Sequence, residues 1–139
     1  PTLFGAIHDC GPDRWGRVLI ERAVRKHVLE QKPYQDLDYV LALDDVSRLG
    51  ALRFRVDATG PFLATGSGKL PPVVRLAALF HDTDAIHGET ETAADLRFLL
   101  GAGSPLGGAR PKAAVSLADG RALLLTLSGG VWEVVASYD

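Results

Sequence analysis

The sequence of 139 residues has one cysteine, no long hydrophobic run and almost no net charge. The single cysteine, Cys10, excludes an intramolecular disulfide framework and a zinc site built from several cysteines. No apolar run approaches the roughly 20 residues that cross a bilayer, and no signal-peptide pattern opens the chain. We therefore expect a cytoplasmic protein with no membrane partner.

The charges nearly cancel, because 15 Lys and Arg stand against 17 Asp and Glu, for a net charge of −2. Proteins that bind nucleic acids usually carry a basic stripe or patch, so we expect no direct nucleic-acid partner. Hydrophobic residues make up 47% of the chain, which is enough to offset the entropy of ordering it and excludes a wholly disordered protein. The length suits one ordinary domain or two very small ones.

Helical patterns dominate the first hundred residues. Asp13 is suited to cap an amphipathic helix over residues 13–31. The apolar face of this helix consists of Trp15, Val18, Leu19 and Ala23. Shorter helices are predicted over 73–81 and 92–100, with a polar and weakly structured stretch between them. The alternation of apolar and charged residues over 51–56 predicts one half-buried strand in this part of the chain.

The composition changes near residue 100. Residues 101–108 include four glycines and predict a flexible loop. Strands are predicted over 113–117 and 122–127, and Asp119 followed by Gly120 is a strong signal for a hairpin turn between them. A third strand or a helix start follows a second glycine-rich turn.

These patterns together predict an α+β fold. Residues 1–100 form a mostly helical subdomain with a short β element, and residues 101–139 form a glycine-rich loop followed by a small antiparallel β-meander. Since an incomplete sheet leaves an edge and an apolar face uncovered, we expect a homo-oligomer or a bound partner protein.

The glycine-rich loop has two interpretations. Backbone amides without side chains can approach a phosphate closely, and Lys112 just past the loop can add a positive charge. The spacing matches neither a Walker A loop nor a dinucleotide-binding fingerprint, because Gly108 is followed by Ala109 and Arg110 and the earlier glycines miss the second pattern by one residue. By spacing alone, a mobile linker between two subdomains is favoured over phosphate binding.

Two stretches that contain histidine carry weaker signals. His81 and Asp82, followed by Asp84 and His87, are residue types that bind zinc or iron, which makes a metal-dependent hydrolase one alternative. Such enzymes need more ligands elsewhere in the chain, so an ordinary solvated turn is favoured. In residues 8–10 a histidine lies two positions before a thiol, but neighbours in sequence rarely face each other, and a small buried cysteine is favoured.

Three further stretches carry a family resemblance. Residues 99–113 read LLGAGSPLGGARPKA, residues 9–17 read DCGPDRWGR, and residues 43–54 read LDDVSRLGALRF. The first resembles the glycine-loop signature of HipA-type toxins, which are serine/threonine protein kinases of bacterial toxin–antitoxin systems. The other two are similar to a helix start and to a turn and strand of the same family. The resemblance extends from about residue 3 to about residue 136.

The resemblance implies a fold and a function. HipA-type kinases have an N-terminal regulatory subdomain, a β-rich kinase lobe and a helical catalytic lobe, and their glycine loop closes over ATP and moves between ordered and ejected forms. The β-meander is accordingly expected to be the start of the kinase N-lobe. The implied cofactors are ATP and Mg²⁺, bound weakly or not at all by this chain alone. The implied ATP-binding residues are Gly107, Gly108, Ala109, Arg110, Pro111 and Lys112.

The chain departs from the family pattern in three ways. The serine that the family autophosphorylates aligns with Pro105, which leaves the neighbouring Ser104 as the modification candidate. The strand lysine that grips the nucleotide phosphates is replaced by Thr126, whose hydroxyl carries no positive charge. The sequence stops at Asp139, before the family's catalytic lobe, so no catalytic residue and no metal ligand is assigned.

We therefore expect a HipA-like toxin–antitoxin protein that is a truncated relative or a fragment of an ATP-dependent serine/threonine kinase and is inactive alone. The alternative is a stand-alone regulatory module. The first hypothesis implies the complementary kinase lobe as a partner. The second implies a separate HipA-type kinase or a HipB-like antitoxin.

Overall fold

In the computed structural model of the protein, the described residues are 3–43, 45, 48, 52–63, 70–103, 108 and 110–138. They form five α-helices, one short 3₁₀ helix and a three-stranded antiparallel sheet, so the predicted α+β class is confirmed. The helices are α1 (Gly5–His8), α2 (Arg14–Arg25), α3 (Asp36–Leu41), α4 (Leu76–His87) and α5 (Ala93–Gly103), with the 3₁₀ helix Val73–Arg75 directly before α4. The strands are β1 (Lys112–Ser116), β2 (Ala122–Ser128) and β3 (Val131–Tyr138).

Helix α2 begins where the sequence predicts but ends earlier. The Asp13 side chain caps its start by accepting a hydrogen bond from the Arg14 amide at 3.0 Å. At the other end, His27 takes a left-handed backbone conformation with φ of 58°. The amide of Val28 then donates to the carbonyl of Ala23 at 2.8 Å, which closes the helix. Glycine usually occupies the left-handed position of such an ending, so a histidine there is no signal for a helix end.

Helix α4 continues through residues whose sequence predicts a polar, weakly structured stretch. The predicted helix over 73–81 begins at the 3₁₀ helix Val73–Arg75, whereas α4 itself begins at Leu76 and extends to His87. Leu79, Thr83 and Ile86 are buried at spacings of four and three residues along it. Thr83 therefore serves as a core residue despite its hydroxyl, which the sequence pattern does not reveal.

Helix α5 also exceeds its predicted length. Thr92 and Asp95 form reciprocal hydrogen bonds between side chain and backbone, 2.8 and 3.2 Å long, and this capping box starts the helix. The helix then continues to Gly103, past the predicted end at residue 100. It crosses the proposed boundary between the two subdomains, and the division itself stays a prediction.

The half-buried strand predicted over 51–56 is wrong for the part of that range that the structure describes. The chain there makes a single bridge between Arg55 and Phe62. Val56 is 86% exposed, so the apolar side of the alternation does not enter a core. The guanidinium of Arg53 stacks on Phe62, 3.6 Å from the ring centre. The charged residues of this alternating pattern, Arg53 and Arg55, therefore contact the ring of Phe62, and the pattern does not produce one face of a sheet.

The antiparallel β-meander predicted for the end of the chain is confirmed. Strand β2 pairs with β1 on one side and with β3 on the other. Gly120 in the first turn has φ of 88°, and Gly129 and Gly130 in the second have 56° and 78°. Two consecutive positive φ values are what a two-residue type I′ hairpin turn requires, and glycine adopts them without steric cost.

One hydrophobic core joins the sheet to the helices. Ala113, Val115 and Leu125 are buried in it, and β1 packs against α5, which in turn packs on α2. Trp15 is buried at the start of α2, and Trp132 of β3 packs against the same core. Within the described residues, no helix is both long and apolar enough to cross a membrane.

A buried ion pair connects α2 to the segment between α4 and α5. Arg22 Nη1 donates to Glu91 Oε1 at 2.8 Å, and Arg22 Nη2 donates to Glu89 Oε1 at 3.4 Å. The side chains of Glu91 and Arg22 are 3% and 18% exposed, whereas that of Glu89 is mostly exposed. Burial acts to raise the pKa of Glu91, but the hydrogen bond and the charge of Arg22 help to hold it below its ordinary value.

Strand β3 is an edge strand with exposed apolar side chains. At the outer side of β1, the Ser116 amide donates to the carbonyl of Pro71 at 2.8 Å, which covers part of that edge. In the described part of the chain β3 pairs only with β2, and Val131, Val134 and Val135 are 61%, 59% and 53% exposed. Such an edge is a surface on which a further strand can pair.

Candidate functional site

The end of the glycine-rich loop and the start of β1 bring Gly108 and Lys112 together. Gly108 has φ of 96°, a conformation that residues with side chains rarely adopt. A Cβ atom at this position would lie 2.5 Å from Lys112 Nζ, so the ammonium sits against the open face of the glycine. Lys112 Nζ donates to the Arg110 carbonyl at 3.4 Å, and it forms no ion pair with any carboxylate among the described residues. We call this arrangement the Gly108–Lys112 site.

The beginning of α2 holds Gly108 from the other side. Asp13 Oδ2 accepts a hydrogen bond from the Gly108 amide at 2.7 Å, and the Trp15 amide donates to the Gly108 carbonyl at 3.1 Å. The hydrogen bond from Gly108 and then that from Arg14 lower the pKa of Asp13, and the charge of Lys112 acts in the same direction. The Asp13 carboxylate is therefore ionised at neutral pH and contacts Gly108. The predicted role of Asp13 as a helix cap does not include this contact.

Thr126 lies directly opposite Lys112 in the sheet. The two residues are cross-strand partners in the register of β1 and β2, and Glu133 of β3 is the next partner of Thr126. The three side chains therefore form a row on one sheet face. The carbonyl of Pro111 accepts hydrogen bonds from the Leu127 amide at 3.0 Å and from Thr126 Oγ1 at 3.4 Å, which anchors the end of the loop on β2.

The structure describes four of the six residues that the resemblance implies for ATP binding. Three of them lie together at the start of β1, namely Gly108, Pro111 and Lys112. The fourth, Arg110, is exposed, and its guanidinium donates to Ser128 Oγ at 3.5 Å. Outside the described residues lie Gly107, Ala109 and the modification candidate Ser104.

A cavity of about 290 Å³ lies between α4 and the turn that joins β2 to β3. Its lining includes Phe80, Asp84 and His87 of α4 together with Pro111 and Leu127. Because neighbouring residues along a strand point to opposite sheet faces, Thr126 and its partner Lys112 point away from this cavity. The cavity is therefore separate from the Gly108–Lys112 site.

The structure changes the membership of the proposed metal cluster. Asp95 of α5 joins His81 and Asp82, with possible ligand atoms that all lie within 4.8 Å of one another. His81 Nδ1 lies 3.1 Å from Asp82 Oδ1. Burial raises the pKa of Asp82, whereas the hydrogen bond from the Thr92 amide lowers the pKa of Asp95. The opposite shifts make Asp82 the more readily protonated of the two neighbouring carboxyl groups.

Replacing Asp82 by asparagine is expected to raise the melting temperature at pH 7 by a few °C. A carboxyl whose pKa is raised by folding binds more protons folded than unfolded, so its contribution to stability falls as pH rises above the unfolded value of 3.8. The gain should therefore vanish near pH 3, where Asp82 is protonated in both states. Thermal melts at several pH values, with and without added Zn²⁺, measure this. A metal site would give the opposite pattern, with wild type stabilised by Zn²⁺ and Asp82→Asn destabilising.

The favoured interpretation of Cys10 as a small buried residue agrees with the structure. Cys10 is 4% exposed, and its Sγ donates to the carbonyl of Ala6 at 3.2 Å. The side chain of His8 is 63% exposed and lies beside Asp9, at 3.9 Å. The thiol is therefore bonded to the backbone of its own turn, which is not the arrangement of an activated nucleophile.

Two of the three stretches that carry the family resemblance meet in the structure. Residues 9–17 and 99–113 are joined by the hydrogen bond between Asp13 and Gly108. In the third stretch the buried Arg48 donates to two backbone carbonyls at the end of α3, at 2.7 and 3.2 Å. Comparisons with protein-family models, with curated proteins and with solved structures find no match to this chain.

Proposed function

We propose that this chain is the regulatory subdomain and phosphate loop of a HipA-type serine/threonine kinase. In this proposal it binds the phosphates of ATP weakly and transfers no phosphate by itself. The supporting observation is the position of Lys112 against the left-handed Gly108, where a glycine-rich segment enters the sheet. A backbone amide and an ammonium in the same neighbourhood are the kinds of donor that a phosphate group binds.

The row on the sheet face explains why weak binding is expected. Catalysis of phosphoryl transfer consists almost entirely of positioning and electrostatic stabilisation. When bound, ATP supplies the phosphoryl group, and Lys112 with the Gly108 amide would hold its phosphates. The next position of the row is Thr126, whose hydroxyl adds no positive charge, and beyond it Glu133 adds a negative one. One lysine therefore supplies the positive charge of this row.

Calorimetric titration of the 139-residue chain with ATP and Mg²⁺ tests the proposal. We expect weak binding by the wild type and a loss of about ten-fold or more in affinity for Lys112→Ala, because a hydrogen bond to a charged phosphate is removed. Incubation with labelled ATP should yield no phosphorylated protein above a blank without protein.

Arg121→Ala is the matched control for this titration. Arg121 is a second cation beside the sheet, with a side chain about half exposed, but it pairs with Asp119 at 2.9 Å in the first hairpin turn. This variant should bind ATP as the wild type does. Absence of any ATP binding by wild type, or equal affinities for wild type and Lys112→Ala, would contradict the proposed phosphate loop.

A stand-alone module that binds a separate HipA-type kinase or an antitoxin is the second candidate function. It is supported by β3, whose open edge and exposed Val131, Val134 and Val135 suit pairing with another protein. In this candidate function the partner strand would come from the separate HipA-type kinase or from the antitoxin. Because β3 and β1, where the Gly108–Lys112 site lies, are on opposite sides of β2, this candidate is compatible with phosphate binding at that site.

A further inference from the structure

The Gly108–Lys112 site already contains an anion that belongs to the protein. Asp13 Oδ2 lies 2.7 Å from the Gly108 amide nitrogen, in the position that an oxygen of a bound phosphate would take. Asp13 is also the N-cap of α2, where the partial positive charge of the helix favours an anion. Its carboxylate therefore uses the same donor that a phosphate would need.

We propose that Asp13 is an internal competitor for the phosphate loop, so that a polyphosphate binds Gly108 and Lys112 only after it displaces the Asp13 carboxylate from the Gly108 amide. This inference rests on the proposed function, since it concerns the regulation of that same site. It assigns to Asp13 the role of an autoinhibitory contact, beyond that of a helix cap.

The charges around the contact support competition. Lys112 and Arg17 both act electrostatically on the Asp13 carboxylate. A phosphate bound between Gly108 and Lys112 would bring two or more negative charges next to Asp13 if the carboxylate stayed in place. The two anions therefore exclude each other by charge as well as by space.

The surroundings of Asp13 leave room for the carboxylate to move. Asp13 lines a cavity of about 140 Å³ that it shares with His8, Arg17 and Asp36. Arg17 donates from Nη2 to Asp36 Oδ1 at 3.3 Å, and its other guanidinium N–H groups can donate to a second carboxylate. Rotation of the Asp13 side chain toward Arg17 would free the Gly108 amide without unfolding α2.

Inorganic pyrophosphate titrated into the full chain and its variants tests this inference. Asp13→Asn keeps a neutral acceptor at the cap, and Asp13→Ser keeps a cap residue but is too short to reach Gly108. We expect pyrophosphate to bind about five-fold tighter or more to both variants than to wild type. Thermal melts verify that both variants fold. Binding at the proposed site should change the NMR chemical shift of the Gly108 amide. Binding elsewhere on the protein would leave that shift unchanged.

Asp9→Asn is the matched control because it removes the same charge four residues away. The Asp9 side chain is 84% exposed and lies 3.9 Å from His8 Nδ1, so this variant should bind pyrophosphate as wild type does. Equal affinities of wild type and both Asp13 variants would overturn the competition and leave the phosphate loop standing. An equal gain in pyrophosphate affinity for Asp9→Asn, or an unchanged NMR chemical shift of the Gly108 amide, would also overturn it. If no variant binds pyrophosphate, the proposed function fails together with it.

Discussion

Replacing Arg22 by alanine is expected to lower the free energy of unfolding by about 3 kcal/mol or more, and the melting temperature by roughly 10 °C. The substitution leaves the carboxylate of Glu91 without its cation although its side chain is only 3% exposed. Glu91 Oε2 already has no hydrogen-bond partner among the described residues, and the substitution would remove the partner of Oε1 as well. An unpaired buried charge is among the most destabilising results of a single substitution.

The reverse substitution, Glu91→Ala, should cost less, because Arg22 is 18% exposed and also reaches Glu89 on the surface. The loss in Arg22→Ala should shrink as pH falls toward 4, since Glu91 without its partner can then bind a proton. The double variant Arg22→Met with Glu91→Leu, which replaces the pair by apolar side chains, should recover most of the stability.

Chemical denaturation at pH 7 and pH 4.5 measures these differences. Arg121→Ala is again the matched control, because its ion pair with Asp119 has a similar length of 2.9 Å but is about half exposed on both sides. Exposed pairs contribute about 1 kcal/mol or less, so this control should be nearly neutral. A loss below about 1 kcal/mol for Arg22→Ala would show that the buried pair does not hold α2 to the helices behind it.

Introducing lysine at Thr126 is expected to increase the affinity for ATP by about ten-fold or more. The new ammonium would lie in the row between Lys112 and Glu133, on the same sheet face as both. Repulsion from Lys112 is offset by attraction to Glu133 on the other side, so the sheet should tolerate the substitution. With a second lysine next to Lys112 in this row, more of the phosphate charge would be neutralised.

Thr126→Met is the matched control for this experiment, because it lengthens the side chain without adding a charge. Titration with ATP and Mg²⁺ should show tighter binding for the lysine variant alone, and Lys112→Ala in the same background should reduce it again. An unchanged affinity for Thr126→Lys would mean that the row is not oriented toward a nucleotide. The alignment of Thr126 with the family's strand lysine would then be wrong.

Much of the fold follows from local patterns in the sequence. Asp13 as a cap, the turn at Gly120 and the paired glycines of the second hairpin are short-range signals, and the structure contains all three. The ends of α2 and α4 are not predictable in this way. His27 and Glu89 take the left-handed position that glycine usually fills, and tertiary packing selects that position.

The candidate site could be predicted only in part for a related reason. The glycine-rich segment and Lys112 are neighbours in sequence, so their proximity in the structure could be predicted from the sequence. The contact between Asp13 and Gly108 joins residues 95 positions apart, and the Arg22–Glu91 pair spans 69 positions. No periodicity or motif encodes such pairs, because they depend on how α2 packs against the rest of the molecule.

Among the described residues β3 pairs only with β2, and if its other edge pairs with a second chain, as proposed, the behaviour of this protein would depend on its concentration. Pairing of two chains along an edge strand is a bimolecular event, so the associated fraction rises with the amount of protein present. The exposed Val131, Val134 and Val135 add apolar area to each such encounter. The supply of a strand that fits this edge would then decide how much of the chain remains dispersed in solution.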